Sequence, residues 1–137
     1  MLKQLRNYLC NMKIINIILA LFFALFAAVQ YNDPDGFMWI VLYLATAIVS
    51  GFAAAGKYNI PVLLSGIMIS VIGIFLFMPD FIDWIKGGAY SITTSMKTEE
   101  PHIELVREFL GLVIVLAVFV FHYLKAKSIL RAGGDIM

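Results

Sequence analysis

Three carboxylates at helical spacing are the first candidates for chemistry in this sequence. Glu100, Glu104 and Glu108 recur every fourth residue, so a helix places them on one face. Arg107 lies three residues after Glu104 and can neutralise part of their charge. Two interpretations stay open, because carboxylates this close repel each other unless something offsets the charge. The stripe is either solvated and balanced by nearby cations, or part of a buried polar cluster.

The second candidate segment reads QYNDPDG and covers residues 30–36. Its carboxylate and amide oxygens are hard ligands of the kind that a divalent cation prefers, although the spacing lacks the pattern of a twelve-residue calcium loop. The same residues also fit a type I turn, with Asp33 first, Pro34 second and Gly36 fourth. Asp35 can then cap the helix that follows.

If the two segments meet on one side of the protein, their side chains form a single polar site. The candidate ligand-binding residues are Gln30, Asn32, Asp33, Asp35, Glu104, Arg107 and Glu108. Such a site suits a cation, a lipid headgroup or a small ligand, and the identity of any metal stays open. We assign no catalytic residue and predict no cofactor, since the sequence has no glycine-rich phosphate loop, no GxSxG and no HExxH motif.

Long apolar runs position these polar segments. Of the 137 residues 62% are hydrophobic and 14% are charged, against about 45–50% and about 25% in soluble domains. A membrane-spanning helix needs about 20 apolar residues. The sequence therefore predicts an all-α membrane protein, a single domain built as a four-transmembrane-helix bundle, with helices at about 13–32, 36–56, 60–79 and 99–127. The first apolar run, residues 14–31, is interrupted only by Asn16 and Gln30.

The segment between the third and fourth helices is the most polar part of the chain. Residues 80–98 form an outer loop, and charged and apolar residues mix over its first part, 80–86. That pattern predicts a short interfacial helix. Thr98, followed by two acids and Pro101, predicts the start of the fourth helix near residue 99.

The distribution of charge predicts the orientation. Of the ten Lys and Arg residues, seven flank one side of the predicted membrane and three the other, and eight of the nine acids lie on the second side. The seven are Lys3, Arg6, Lys13, Lys57, Lys125, Lys127 and Arg131. The positive-inside rule therefore places both termini in the cytoplasm, and we expect a bacterial inner membrane. The first run is longer than the apolar part of a secretory signal, so we expect it to be retained.

Composition also excludes several classes of function. A net charge of +1 leaves no basic field for nucleic acid. The single Cys10 excludes an internal disulfide framework and any CxxC motif. His102 and His122 lie at different depths in the predicted membrane, which argues against a bis-histidine haem site. We expect His122 to serve packing or hydrogen bonding.

Small residues at helical spacing indicate close helix packing. They occur as Ala47, Gly51 and Ala55 on the second helix and as Gly66, Ser70 and Gly73 on the third. Such residues let helix backbones approach each other in a bilayer. They serve either a compact arrangement within the chain or a homodimer face.

Three separated motifs occur in the order found in a known family. They are FAAVQYNDPD at 26–35, followed by Trp39, Ile40 and Tyr43; GKYN at 56–59; and SMKTEEPHIE at 95–104, followed by REFLG at 107–111. Over residues 12 to about 124 the chain resembles the transmembrane protein 220 family. The resemblance implies a small four-helix membrane protein of undefined role, with these motifs as its hallmark. Gly36 departs from the pattern, which has a second proline there, and this departure implies a looser turn.

The sequence favours a non-catalytic role, as an accessory or structural subunit of a larger membrane protein complex. Its expected partners are the lipid bilayer and other membrane subunits, with a homo-oligomer as a further arrangement and no nucleic acid. The alternative is the outer-face polar site. A transporter ranks third, because the helix cores carry almost no ionisable residue to mark a pathway.

Overall fold

The computed structural model describes residues 1–87 and 101–136, with side chains for 1–87 and 106–136. This part of the chain is all-α. It contains α1 (Leu2–Val29), α2 (Gly36–Ala54), α3 (Ile60–Lys86) and α4 (Pro101–Arg131), and a 3-10 turn, Gln30–Asn32, extends α1. All four helices are long and apolar enough to cross a membrane. The predicted fold class, with four spanning helices, is confirmed.

Several helix boundaries differ from the expected ones, among them the start of the first helix and the end of the last. The first helix begins at Leu2 rather than near residue 13, because residues 2–12 contain no glycine or proline that would end a helix. The last helix is described from Pro101 and ends at Arg131 rather than at residue 127. Its predicted start near residue 99 lies outside the described residues.

The expected separate interfacial helix is not found in the described part of the outer loop. Residues 80–86 instead continue α3, which runs to Lys86 with Pro79 inside it. Proline removes one backbone donor, and membrane helices tolerate this because local adjustments satisfy the freed carbonyl group. The rest of the predicted loop, residues 88–98, lies outside the described residues.

The chain divides into two compact units. The first comprises Met1–Leu63 and Phe121–Met137, and the second comprises Leu64–Val120. In the first unit α1 and α2 pack against each other in opposite directions through an aromatic cluster. The Phe26 ring meets Tyr43 edge-on with centroids 5.6 Å apart, and the Phe23 and Tyr43 rings lie 6.1 Å apart. Phe23 is completely buried.

A tight turn joins these two helices. The Gly36 amide donates to the Asp33 carbonyl oxygen at 3.1 Å, which confirms the predicted turn over 33–36. Asp35 occupies the N-cap position of α2, but its side chain makes no capping hydrogen bond. A Cβ atom on Gly36 would overlap the Gln30 carbonyl oxygen. Gly36 therefore tightens the connection by close approach, contrary to the expectation of a looser turn.

In the second unit α3 and α4 are antiparallel, and small residues of α3 receive large residues of α4. Phe119 fills the space above Gly66 and Leu112 fills the space above Gly73. Farther along, the Phe81 and Phe109 rings stack with centroids 4.4 Å apart. The small-residue pattern of α3 therefore serves packing within the chain.

Candidate functional site

The predicted outer-face residues of the first unit lie around the connection between α1 and α2. Gln30 is half-buried, whereas Asn32, Asp33 and Asp35 are exposed. The backbone of this connection is hydrogen-bonded within itself, since the Asp33 amide donates to the Gln30 carbonyl oxygen and the Gly36 amide to the Asp33 carbonyl oxygen, each at 3.1 Å.

The remaining members of the predicted site belong to the second unit. Arg107 and Glu108 are half-buried near the beginning of the spanning part of α4. The side chain of Glu104 lies outside the described residues. Among the side chains at 1–87 and 106–136, no group of three or more His, Cys, Asp or Glu residues is placed to hold a metal ion. The combined outer site stays a prediction.

A different polar set lies in the core of the first unit. Asn16 on α1, Ser50 on α2 and His122 on α4 are each at most 2% exposed. Ser50 Oγ lies 3.0 Å from His122 Nε2, so one hydrogen bond joins two helices. This finding agrees with the expectation that His122 serves hydrogen bonding. Thr46, one turn before Ser50, is satisfied within its own helix, since its hydroxyl donates to the Leu42 carbonyl oxygen at 2.8 Å.

Two atoms of this polar set are buried without a hydrogen-bond partner in the part of the chain that the structure describes. They are Asn16 Oδ1 and His122 Nδ1. Buried polar atoms are normally paired, and an unpaired one costs about 1–3 kcal/mol. Packing within the first unit therefore gives no reason for these two polar atoms to be buried.

The link between α2 and α3 brings a tyrosine next to this set. Gly56, with φ of +76°, reverses the chain after α2, and the Lys57 amide donates to the Phe52 carbonyl oxygen at 2.8 Å. Asn59 Oδ1 accepts the Val62 amide at 3.2 Å and caps α3. The GKYN motif thus ends one helix and starts the next, and it holds Tyr58 between them.

Tyr58 itself is buried and contacts two other parts of the unit. Its amide donates to the Ile136 carbonyl oxygen at 2.8 Å, which ties the C-terminal tail to the link. Its ring centroid lies 6.3 Å from that of His122. Burial raises the pKa of the Tyr58 phenol above its usual value of 10.0, and the nearby Tyr8 phenol raises it further.

The Ser50–His122 pair has the residue types of a nucleophile and its base, but its surroundings do not suit that role. Both side chains are fully buried, so a substrate has no access to the hydroxyl. His122 Nδ1 has no partner that would orient the imidazole ring, as a third group does in hydrolytic triads. The pair is an interhelical hydrogen bond, of the kind that holds membrane helices together.

A cavity of about 690 Å³ opens beside this polar set, where the N-terminal half of α1, the end of α2 and the end of α4 meet. Its polar lining residues are Tyr8, Lys13, Asn16, Tyr58, Lys125 and Ser128, and no carboxylate at 1–87 or 106–136 lines it. Lys125 Nζ donates to the Tyr8 hydroxyl and lies 4.6 Å from the centroid of the Tyr8 ring. We call this space the basic cavity.

The chain matches a known family of membrane proteins. The sequence profile described as "Transmembrane family 220, helix" matches residues 22–124. This chain belongs to transmembrane family 220. The family resemblance of the three motifs is thereby confirmed, although the match begins at residue 22 rather than 12. No solved structure matches the chain. Family membership and four helices of spanning length establish an integral multi-pass membrane protein.

The family match covers only some residues of the polar core and of the basic cavity. Ser50, Tyr58 and His122 lie within the region shared with transmembrane family 220. Lys13 and Asn16 precede that region, and Lys125 follows it. The family match therefore includes Tyr58 of the basic cavity but not Asn16 or the two lysines.

Sequence reasoning missed the polar core, although one signal was available. Asn16 and Ser50 are polar residues within apolar runs, and such residues normally face protein in a membrane. Which of them meets His122 depends on how each helix is rotated about its own axis. Periodicity does not decide that rotation for helices that are apolar on all sides.

Proposed function

We propose that this protein is a non-catalytic accessory or structural subunit of a larger membrane protein complex. In this proposal it resides in a bacterial inner membrane with both termini in the cytoplasm, as the distribution of Lys and Arg indicates. A membrane helix of another subunit docks on one face of α2. A single feature of α2 carries the argument, namely the uncovered surface at Gly51.

Gly51 differs in its surroundings from the two glycines of α3. A Cβ atom built on Gly51 meets nothing within 4 Å, and Ala55, one turn later, is exposed. On α3, by contrast, Gly66 and Gly73 are covered by large side chains of the same chain. Small residues permit close helix approach in lipid. The uncovered surface of α2 at Gly51 therefore suits a helix that another subunit supplies.

Co-purification from the native membrane tests this proposal. The tagged wild-type chain is extracted in mild detergent, and the stoichiometry of bound proteins is measured by quantitative mass spectrometry. We expect a defined complex that Gly51→Leu abolishes, because the new side chain occupies the space of the partner backbone. Ala45→Leu is the matched control, since Ala45 is also exposed and lies about 120° around the same helix.

Three results would contradict the proposal. The wild-type chain alone, without a stoichiometric partner, would leave no complex for it to join. A complex of two copies of this chain would replace the accessory role with a homodimer. Equal loss of the partner in Gly51→Leu and Ala45→Leu would remove the assignment of the docking face.

The outer polar residues support a second candidate function, a site for a cation, a lipid headgroup or a small ligand. The observation that favours it is the partial burial of Arg107 and Glu108 near the beginning of a spanning segment. Ionisable residues at such depths are rare and commonly functional.

A further inference from the structure

We propose that the basic cavity binds the headgroup of an anionic phospholipid that carries free hydroxyl groups, of the phosphatidylglycerol type. Lys13 and Lys125 contact the phosphate, and Asn16 accepts a hydrogen bond from a headgroup hydroxyl. This inference does not depend on the proposed subunit role, because the side chains that would bind the headgroup lie on α1 and α4, whereas the proposed docking surface is at Gly51 on α2.

The charge of the cavity wall selects an anion. Among the residues that the structure describes, two lysines and no aspartate or glutamate line the cavity. Lys125 is held in place, because its ammonium group donates to the Tyr8 hydroxyl and lies over the Tyr8 ring. An ammonium group has three N–H donors, so two remain for phosphate oxygens. The Tyr8 hydroxyl accepts from Lys125 and can donate its own proton to the same phosphate.

The hydrogen-bonding capacity of the wall points to a ligand with hydroxyl groups. Asn16 is 2% exposed and lines the cavity, and its Oδ1 has no donor among the described residues. Oδ1 is an acceptor, so it pairs with an O–H group and not with a phosphate oxygen. A choline headgroup offers neither a hydroxyl donor nor a net negative charge, whereas a glycerol headgroup with its phosphodiester offers both.

The position of the cavity favours a lipid over a soluble phosphate. Its walls come from the N-terminal half of the segment Leu2–Asn32 and from the ends of Gly36–Ala54 and Val106–Arg131. The ends of membrane-spanning helices lie near the lipid headgroups. Leu5 and Leu9 add exposed apolar surface beside the lysines, which suits the attached acyl chains. Basic residues on this side of the predicted membrane also meet the anionic cytoplasmic leaflet.

Native mass spectrometry of the full-length protein, titrated with single lipids in detergent, tests the proposal. The probes are phosphatidylglycerol and phosphatidylcholine with identical acyl chains. We expect the wild-type protein to bind phosphatidylglycerol more tightly. The double variant Lys13→Gln/Lys125→Gln should bind it at least about tenfold more weakly, because it lacks both cations.

A charge-matched control separates a site from diffuse attraction. Lys3→Gln/Lys127→Gln removes the same charge at positions that do not line the cavity, and it should bind phosphatidylglycerol like the wild type. Lys13 is exposed, so the single variant Lys13→Gln should fold. It tests the loss of phosphatidylglycerol binding if the double variant fails to fold. Asn16→Leu should reduce the preference for phosphatidylglycerol over phosphatidic acid, which lacks the headgroup hydroxyls.

Three results would overturn the proposal. Equal weakening in the two double variants would mean that net charge alone attracts the lipid. Phosphatidylcholine binding as tight as phosphatidylglycerol binding would remove the selectivity. Inorganic phosphate that displaces phosphatidylglycerol at equal concentration would identify a soluble anion, and not a lipid, as the occupant.

Discussion

Ser50 Oγ and His122 Nε2 lie 3.0 Å apart, although 72 positions separate the two residues in the chain. The contact joins α2 to the last third of α4 within the first unit. Both side chains are fully buried, so neither can exchange its partner for water. Loss of one side chain leaves the other unpaired in an apolar core.

We therefore expect Ser50→Ala and His122→Leu each to lower the free energy of unfolding by about 1–3 kcal/mol. The double variant should lose less than the sum of the two. The difference, a coupling of about 0.6 kcal/mol with a ceiling of about 1.7 kcal/mol, is typical of interhelical hydrogen bonds. Denaturant unfolding in mixed micelles measures all four species. Thr46→Ala is the control, since Thr46 bonds within its own helix and should show no coupling to His122→Leu.

The close approach of Gly36 to Gln30 predicts that a larger residue at position 36 lowers stability. Gly36→Ala should destabilise the protein by about 1–3 kcal/mol, because its Cβ atom overlaps the Gln30 carbonyl oxygen and the connection must shift. Thermal unfolding followed by circular dichroism measures the change. Gly51→Ala is the control. It adds the same methyl group in open space within a helix and should stabilise the isolated protein by up to about 1 kcal/mol.

Packing in the second unit predicts a rescue experiment. Gly66→Ala should lower the melting temperature, because Phe119 occupies the space that the new methyl group needs. Adding Phe119→Leu should restore part of the loss, since the smaller side chain gives the methyl group room. Phe119→Leu alone should destabilise the protein by leaving a cavity beside glycine. If the double variant is less stable than both single variants, Gly66 and Phe119 do not share this contact.

Tyr58 predicts a pH dependence. Burial is the larger cause of its raised pKa and the Tyr8 phenol the smaller, so Tyr8→Phe should lower the Tyr58 pKa while leaving it above 10.0. Ultraviolet difference titration against Tyr58→Phe isolates its phenolate signal. A raised folded-state pKa means that the folded protein holds its proton longer than the unfolded chain. This contribution to stability is therefore complete below pH 10 and is lost as the pH rises from 10 through the folded-state pKa.

The outer-face site is tested by its response to cations. If Asp33 and Glu108 contribute to a cation site, Mg²⁺ or Ca²⁺ should raise the melting temperature of the wild-type protein. Asp33→Asn and Glu108→Gln should remove that shift, since an amide is a weaker ligand than a carboxylate. Asp83→Asn is the control, because Asp83 is not one of the candidate ligands of the outer-face site. Equal cation shifts in all four proteins would assign the effect to general surface charge.

Much of the architecture was predictable because it depends on local patterns. Apolar runs of spanning length identify transmembrane helices wherever the chain places them. The turn at 33–36 follows from the order of Asp33, Pro34 and Gly36, and the motifs at 26–35 and 56–59 identified the family. The predicted boundary at residue 79 was wrong, because the uncharged apolar run ends there whereas α3 continues through Pro79 to Lys86.

By itself, the amino-acid sequence determined the number of spanning helices, the short connection between the first two and the family. Tertiary structure alone decided that Ser50 meets His122, that Phe119 covers Gly66 while Gly51 stays open, and that Lys13 and Lys125 line one cavity. The physical reason is that hydropathy measures how well a segment suits lipid, and that property is local. Contacts depend on the rotation and axial position of each helix, which many weak packing interactions set together.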